Sequence, residues 1–266
     1  TTQKGTAVDA QGNVYIVGHY KKQVRFGAFT SPATGENKAI YLVKLSPQGQ
    51  VIWANFLIST GAGNYNALGM AMDASGNIFV AGSQTSGISA TWSNDPNNVG
   101  PITSQNTFIV KLDGNGNPLQ HIAGSPNILD IAVESGRVIV LCSFYLSAGF
   151  GGATQVTSVP YGIALLRFST TDLSYISSFS GQLDGNPLAA TTKLAVNSGG
   201  SVCFTFSALG TVSVGGVTFT NSRRLPVIVR LLNDTVVYVK RIESTRNIAQ
   251  LSASIDAVGN CYAAGS

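Results

Sequence analysis

The sequence predicts an all-β protein built from small antiparallel sheets, and three observations predict it. Residues 71–82 (AMDASGNIFVAG) read as a strand, a tight Asp-x-x-Gly-Asn turn and a second strand, and the stretch recurs. Close copies stand at 7–18 (AVDAQGNVYIVG) and 254–265 (SIDAVGNCYAAG), and worn ones at 132–142 and 195–206. Aligned on Val8, Met72, Val133, Val196 and Ile255, the copies are spaced 59 to 64 residues apart, as in an array of like supersecondary units. Second, the strand after each turn is apolar on both sides, as in Val14-Tyr15-Ile16-Val17 and Ile78-Phe79-Val80-Ala81. A sheet with one wet face would alternate apolar with polar, so these strands must be covered on both faces. Third, the 30 glycines suit a turn-rich β protein, and no apolar run reaches membrane-spanning length.

The composition narrows the class further. A length of 266 residues supports one large domain with a substantial core, read as spanning 1–266. Charged residues make up 11% and the net charge is +4. Lys21-Lys22, Arg223-Arg224 and Lys240-Arg241 are isolated basic pairs rather than a stripe, so a nucleic-acid partner is not expected, nor is membrane insertion. Cys142, Cys203 and Cys261 all fall in the second strand of their copies, without metal-ligand spacing, and read as buried free thiols. No signal peptide is visible, but the chain opens inside a repeat, where a leader could be missing.

Each unit is expected to hold four strands in order, a to d. In the first unit (5–60), a and b flank the Asp9 turn. A polar connection at 19–38 is interrupted by 24–27 (VRFG), and a hairpin at 39–54 turns through Ser46-Pro47-Gln48-Gly49, with Pro and Gly placed for a type I turn. The second unit (61–124) has a long polar b–c loop at 83–106 and a c–d hairpin around Asp113-Gly114-Asn115-Gly116. The third (125–181) and fourth (182–245) place c at 163–168 and 227–232, and Pro226 at a strand start loses least there. A partial fifth unit occupies 246–266. Strand c carries a base near its end in each full unit, at Lys44, Lys111, Arg167 and Arg230. The simple expectation is a stem laid along apolar neighbours with its charge kept wet.

Four-stranded antiparallel units repeated with two-sided burial are the sequence form of a β-propeller blade. The pattern AVDAQGNVYIVG, VRFG, AIYLVKLSPQGQVIWA resembles the bacterial β-propeller repeat family often labelled SBBP, and more distantly NHL-type propellers. The third and fourth units depart from it, with Glu134 and Asn197 in place of the Asp and Arg137 or Ser201 in place of the Asn. The resemblance implies a propeller in secreted, cell-surface or virion-associated proteins without assigned catalytic residues. Because the chain opens on a strand a and stops after a strand b, it is expected to be an incomplete part of a larger propeller.

The residues with chemical potential have structural readings beside them. Asp9, Asp73 and Asp256, with Gly12, Gly76, Gly259, Asn13, Asn77 and Asn260, read as turn-forming sets, because Asp caps its own turn and Gly supplies positive φ. Asp113, Asn115 and Asn117 resemble the first half of a calcium loop, but Gly124 stands where the bidentate Glu belongs. His19 and His121 occupy non-equivalent positions, and no G-x-S-x-G, H-E-x-x-H or P-loop occurs. Gly149-Phe150-Gly151-Gly152 is expected to be a plain loop. Trp92, with Asn94, Asp95, Asn97 and Asn98, could stack on a sugar or anchor a partner, or fold back over its own sheet edge. The sequon Asn233-Asp234-Thr235 is of a kind that often arises by chance. The expectation is therefore a non-enzymatic scaffold needing no cofactor, extracellular or on a cell or virion surface. It would bind other protein subunits of a surface assembly through its loops, chiefly 83–106, 19–38 and 144–161. The alternatives are a carbohydrate-binding propeller and a propeller lyase or hydrolase.

Overall fold

The computed structural model describes residues 1–85, 89–103, 106–185, 187, 192–243 and 251–265. The stretch 244–250, where the fourth unit gives way to the fifth, lies outside them. Among the described residues there are 21 strands and no helix, and every resolved pairing is antiparallel. The chain divides into two compact units, Thr1–Ile128 and Leu129–Ser266.

In the first unit, β1 (Thr2–Val8), β2 (Val14–Tyr20), β5 (Ala39–Leu45) and β6 (Val51–Ser59) pair in chain order. A second sheet runs β7 (Tyr65–Met72), β8 (Ile78–Gln84), β10 (Thr107–Leu112), β11 (Pro118–Gly124). The core between them holds Tyr15, Val17, Ile40 and Leu42 from one sheet against Met70, Ile78, Val80, Phe108 and Val110 from the other. The opposite face of the first sheet is covered too. The hairpin of β3 (Arg25–Phe26) and β4 (Phe29–Thr30) brings Phe26, with Val24, onto Tyr20, Tyr41, Val43 and Phe56. Burial of each such side chain contributes about 1.5–3 kcal/mol.

The long loop of the second sheet is more structured than a polar loop should be. Residues 90–92 form β9 (Ala90–Trp92), which pairs with the free edge of β6 through Leu57↔Trp92 and Ser59↔Ala90. A segment of one sheet thus closes the edge of the other, which leaves fewer unpaired backbone groups.

The second unit repeats the arrangement with longer strands. β12 (Asn127–Glu134), β13 (Arg137–Phe150), β14 (Ala153–Ser169) and β15 (Tyr175–Leu183) form one meander. The next is β16 (Lys193–Val196), β17 (Ser201–Val214), β18 (Val217–Leu232) and β19 (Thr235–Arg241), and β20 (Leu251–Ile255) pairs β21 (Cys261–Gly265). Ile139, Leu141, Ile163 and Leu165 pack against Val202, Phe204, Val227 and Val229. Again an outer strand is covered from the next meander, Gly181↔Val214 and Leu183↔Val212 joining β15 to β17.

Residues 144–161 are not a loop. They extend the β13–β14 hairpin, which pairs as far as Phe150↔Ala153 with a bulge between Tyr145 and Ser147. Gly151 and Gly152, at φ of 53° and 88°, make the two-residue turn that right-twisted strands favour. Gly215 and Gly216 do the same between β17 and β18.

Candidate functional site

The most regular chemistry in the chain is the turn that joins its hairpins. Asp9 Oδ1 accepts from the backbone N–H of Gln11 (3.0 Å) and Asn13 (2.8 Å), while Oδ2 accepts from Asn13 Nδ2 (2.8 Å). Asp73 repeats this with Ser75 and Asn77, and Asp256 with Val258 and Asn260. Gly12 and Gly76 lie at φ of 81° and 82°, and Gly259 at 90°, where a Cβ is strained. The same device appears where the sequence only partly shows it. Asn197 Oδ1 accepts from Gly199 and Ser201, and Ser46 Oγ from Gln48 and Gln50.

The calcium-like stretch takes this geometry as well. Asp113 Oδ1 accepts from the N–H of Asn115 and Asn117, both at 2.9 Å, and Oδ2 from Asn117 Nδ2 at 3.0 Å. Asn117 Oδ1 in turn accepts from Asn94 Nδ2 at 2.9 Å. The carboxylate of Asp113 and the amide oxygen of Asn117 are thus engaged as acceptors within the chain. Among the described residues no three His, Cys, Asp or Glu side chains gather as a metal-ligand set.

Trp92 is 6% exposed and sits in the core of the first unit. Its ring offers no face to a sugar or partner, because pairing with Leu57 turns it inward. The neighbouring polar residues are fastened by a residue that sequence reading missed, the buried Asn55. Its Oδ1 accepts from Ser93 Oγ (2.7 Å), Asn94 N (3.0 Å) and Phe56 N (2.9 Å), while Nδ2 donates to the carbonyls of Asn94 and Gly116. Asp95 accepts from the N–H of Val99 and Gly100, and Asn97 donates to the Pro118 carbonyl. Asn98 is exposed, at φ 50°. The one signal for Asn55 was a lone amide in an otherwise apolar strand d.

The recurring bases of strand c do not keep their charge wet. Lys111 is 8% exposed and Arg167 0%. Lys44 Nζ lies 3.4 Å from Asp9 Oδ2, 4.8 Å above the Tyr15 ring and 3.5 Å from the Gly114 carbonyl in a turn of the next sheet. Arg167 Nη2 meets Asp234 Oδ1 at 2.7 Å, again in the c–d turn of the following meander, with Arg137 bridging Glu134 and Asp234. The stem is buried because another sheet lies over this face, so the head must find its counter-charge or carbonyl there. Burial opposes ionisation of Asp9, yet the bonds from Asn13, Tyr15 and Lys44 prevail and hold its carboxyl at about 2. Burial pushes Arg167 down, against the pull of Asp234, and pushes the Cys142 thiol up to about 12.

His19 and His121 are lowered by burial, His19 also by Lys38 and Lys4. An open groove of about 480 Å³ lies between two a–b turns, lined by Val8, Asp9, Gln11, Met72, Asp73 and Ser75. The polar groups facing it include carboxylates already engaged by their own turns. On the β13–β14 hairpin apolar area is exposed at Val156 (72%), Tyr145 (62%) and Leu146 (48%). Tyr145 packs edge-on against Tyr161, ring centroids 5.5 Å apart. No protein-family model matches the chain, and no curated protein matches it.

Proposed function

We propose that the four meanders are blades of a β-propeller of the SBBP-like kind, and that the protein is a non-enzymatic interaction scaffold of a secreted, cell-surface or virion-associated assembly. The observation that carries the reading is the way carboxylates and bases are used. Asp9, Asp73, Asp113 and Asp256 are spent on turns, while Lys44 and Arg167 tie one sheet to the next. Such a framework invests its polar groups in rigidity and leaves recognition to what projects from it. The surface assigned to recognition is the β13–β14 hairpin, where Tyr145 and Val156 expose apolar area on paired backbone and Leu146 exposes it at the bulge. Aromatic and aliphatic anchors of that kind suit a protein subunit better than a sugar.

A photo-reactive residue placed at Val156 tests this in the assembly that contains the chain. It is expected to trap a protein subunit, whereas the same probe at Lys193 traps none. A glycan array is expected to retain nothing. Retention of a defined glycan, with no subunit trapped at Val156, would transfer the reading to a carbohydrate-binding propeller.

A further inference from the structure

Two of the three cysteines meet. Cys203 pairs in register with Arg230, and Arg230 with Tyr238, so the three side chains stand on one face of the sheet. The β20–β21 hairpin lies over that face. Asn197 Nδ2 donates to the Asp256 carbonyl at 2.8 Å. A Cβ on Gly259 would stand 2.9 Å from Ser201 Oγ and against the Arg230 guanidinium. Cys203 follows Ser201 by two residues in β17, and Cys261, the first residue of β21, follows the turn residue Gly259 by two. The Cys261 thiol is in hydrogen-bonding reach of both the Cys203 thiol and the Tyr238 hydroxyl. At the position of Cys203 the other units carry Tyr15, Phe79 and Ile139, and at that of Cys261 they carry Val14, Ile78, Val138 and Val202. Only at this contact do two thiols replace two apolar side chains.

We propose that Cys203 and Cys261 are an oxidative cross-linking site, whose disulfide staples the β20–β21 hairpin to the sheet of β16 to β19. The oxidant is a small organic disulfide. The thiolate of Cys261, which is the less buried of the pair, attacks one sulfur of oxidised glutathione. The glutathione S–S bond breaks, and one glutathione leaves and takes up a proton. The Cys203 thiolate then attacks the Cys261 sulfur of the mixed disulfide and expels the second glutathione, which takes up the other proton. Two protein thiols lose two electrons and two protons, and the oxidant gains both. Burial raises the Cys203 thiol while Arg230 opposes the rise, so the second step is the slow one. The bond closes a loop of about 60 residues, and a cross-link restricts the unfolded chain more the longer the loop it closes.

The test uses the 266-residue chain with oxidised glutathione, an acid quench and non-reducing peptide mapping. The expected product joins the Cys203 and Cys261 peptides, leaves Cys142 as a thiol, and reverts with dithiothreitol. The oxidised protein is expected to melt higher than the reduced one, and Cys261→Ser is expected to show neither change. Cys203→Ser is expected to retain glutathione on Cys261, because nothing resolves it. Recovery of both thiols free in the native protein, or a lasting glutathione adduct on Cys261 of the unsubstituted chain, would overturn the proposal, and neither depends on a variant folding.

Discussion

At the scale of single residues, the turn acids account for much of the local order. The Asp9 carboxyl ionises at about 2 in the folded chain against about 3.9 in an unfolded one. A depressed folded value stabilises above the unfolded value and is lost as pH falls through the folded one. Asp9 therefore contributes fully above about pH 4 and progressively less toward pH 2. Asp9→Asn is expected to lower stability at neutral pH and to flatten the acid limb between those values, read by urea denaturation across pH. These turns were legible in the sequence because their bonds span two to four residues. Asn55 was not, because its partners lie 39 and 61 positions along the chain.

At the scale of elements, glycines paired with aromatic rings set how closely strands b and c approach. Gly82 faces Phe108, and Gly18 faces Tyr41. In the third meander the roles are exchanged, with Phe144 on b facing Gly162 on c. In each pair the ring occupies the space a Cβ would need. Gly82→Ala is expected to cost about 1–3 kcal/mol through overpacking, measured as a lower denaturation midpoint with unchanged slope. The basic struts act between elements in the same way. Arg167→Ala removes a fully buried side chain and takes from Asp234 its shortest ion pair, and a loss of about 2–4 kcal/mol is expected. Strands β2, β5, β8, β10, β13 and β17 could be read from their apolar runs. β9 and the distal halves of β13 and β14 could not, since polar residues become strands only when an edge is there to receive them.

At the scale of the whole molecule, stability should follow two-sided burial. Hydrogen exchange is expected to be slowest in β8, β10 and the first halves of β13 and β17, whose side chains are buried on both faces, and fastest in the β3–β4 hairpin. Equal exchange rates in these segments would contradict that ranking. The sequence by itself determined the all-β class, the a-to-d strand order and the Asx turns, because all three are written in periods of two and in contacts a few residues long. The tertiary structure alone decided that Trp92 is core and that Lys44 and Arg167 are dry struts. It also decided that 144–161 is a bulged hairpin rather than a loop and that Cys203 faces Cys261. Each of these depends on which sheet lies against which face, and that proximity is set by packing between segments far apart in the chain.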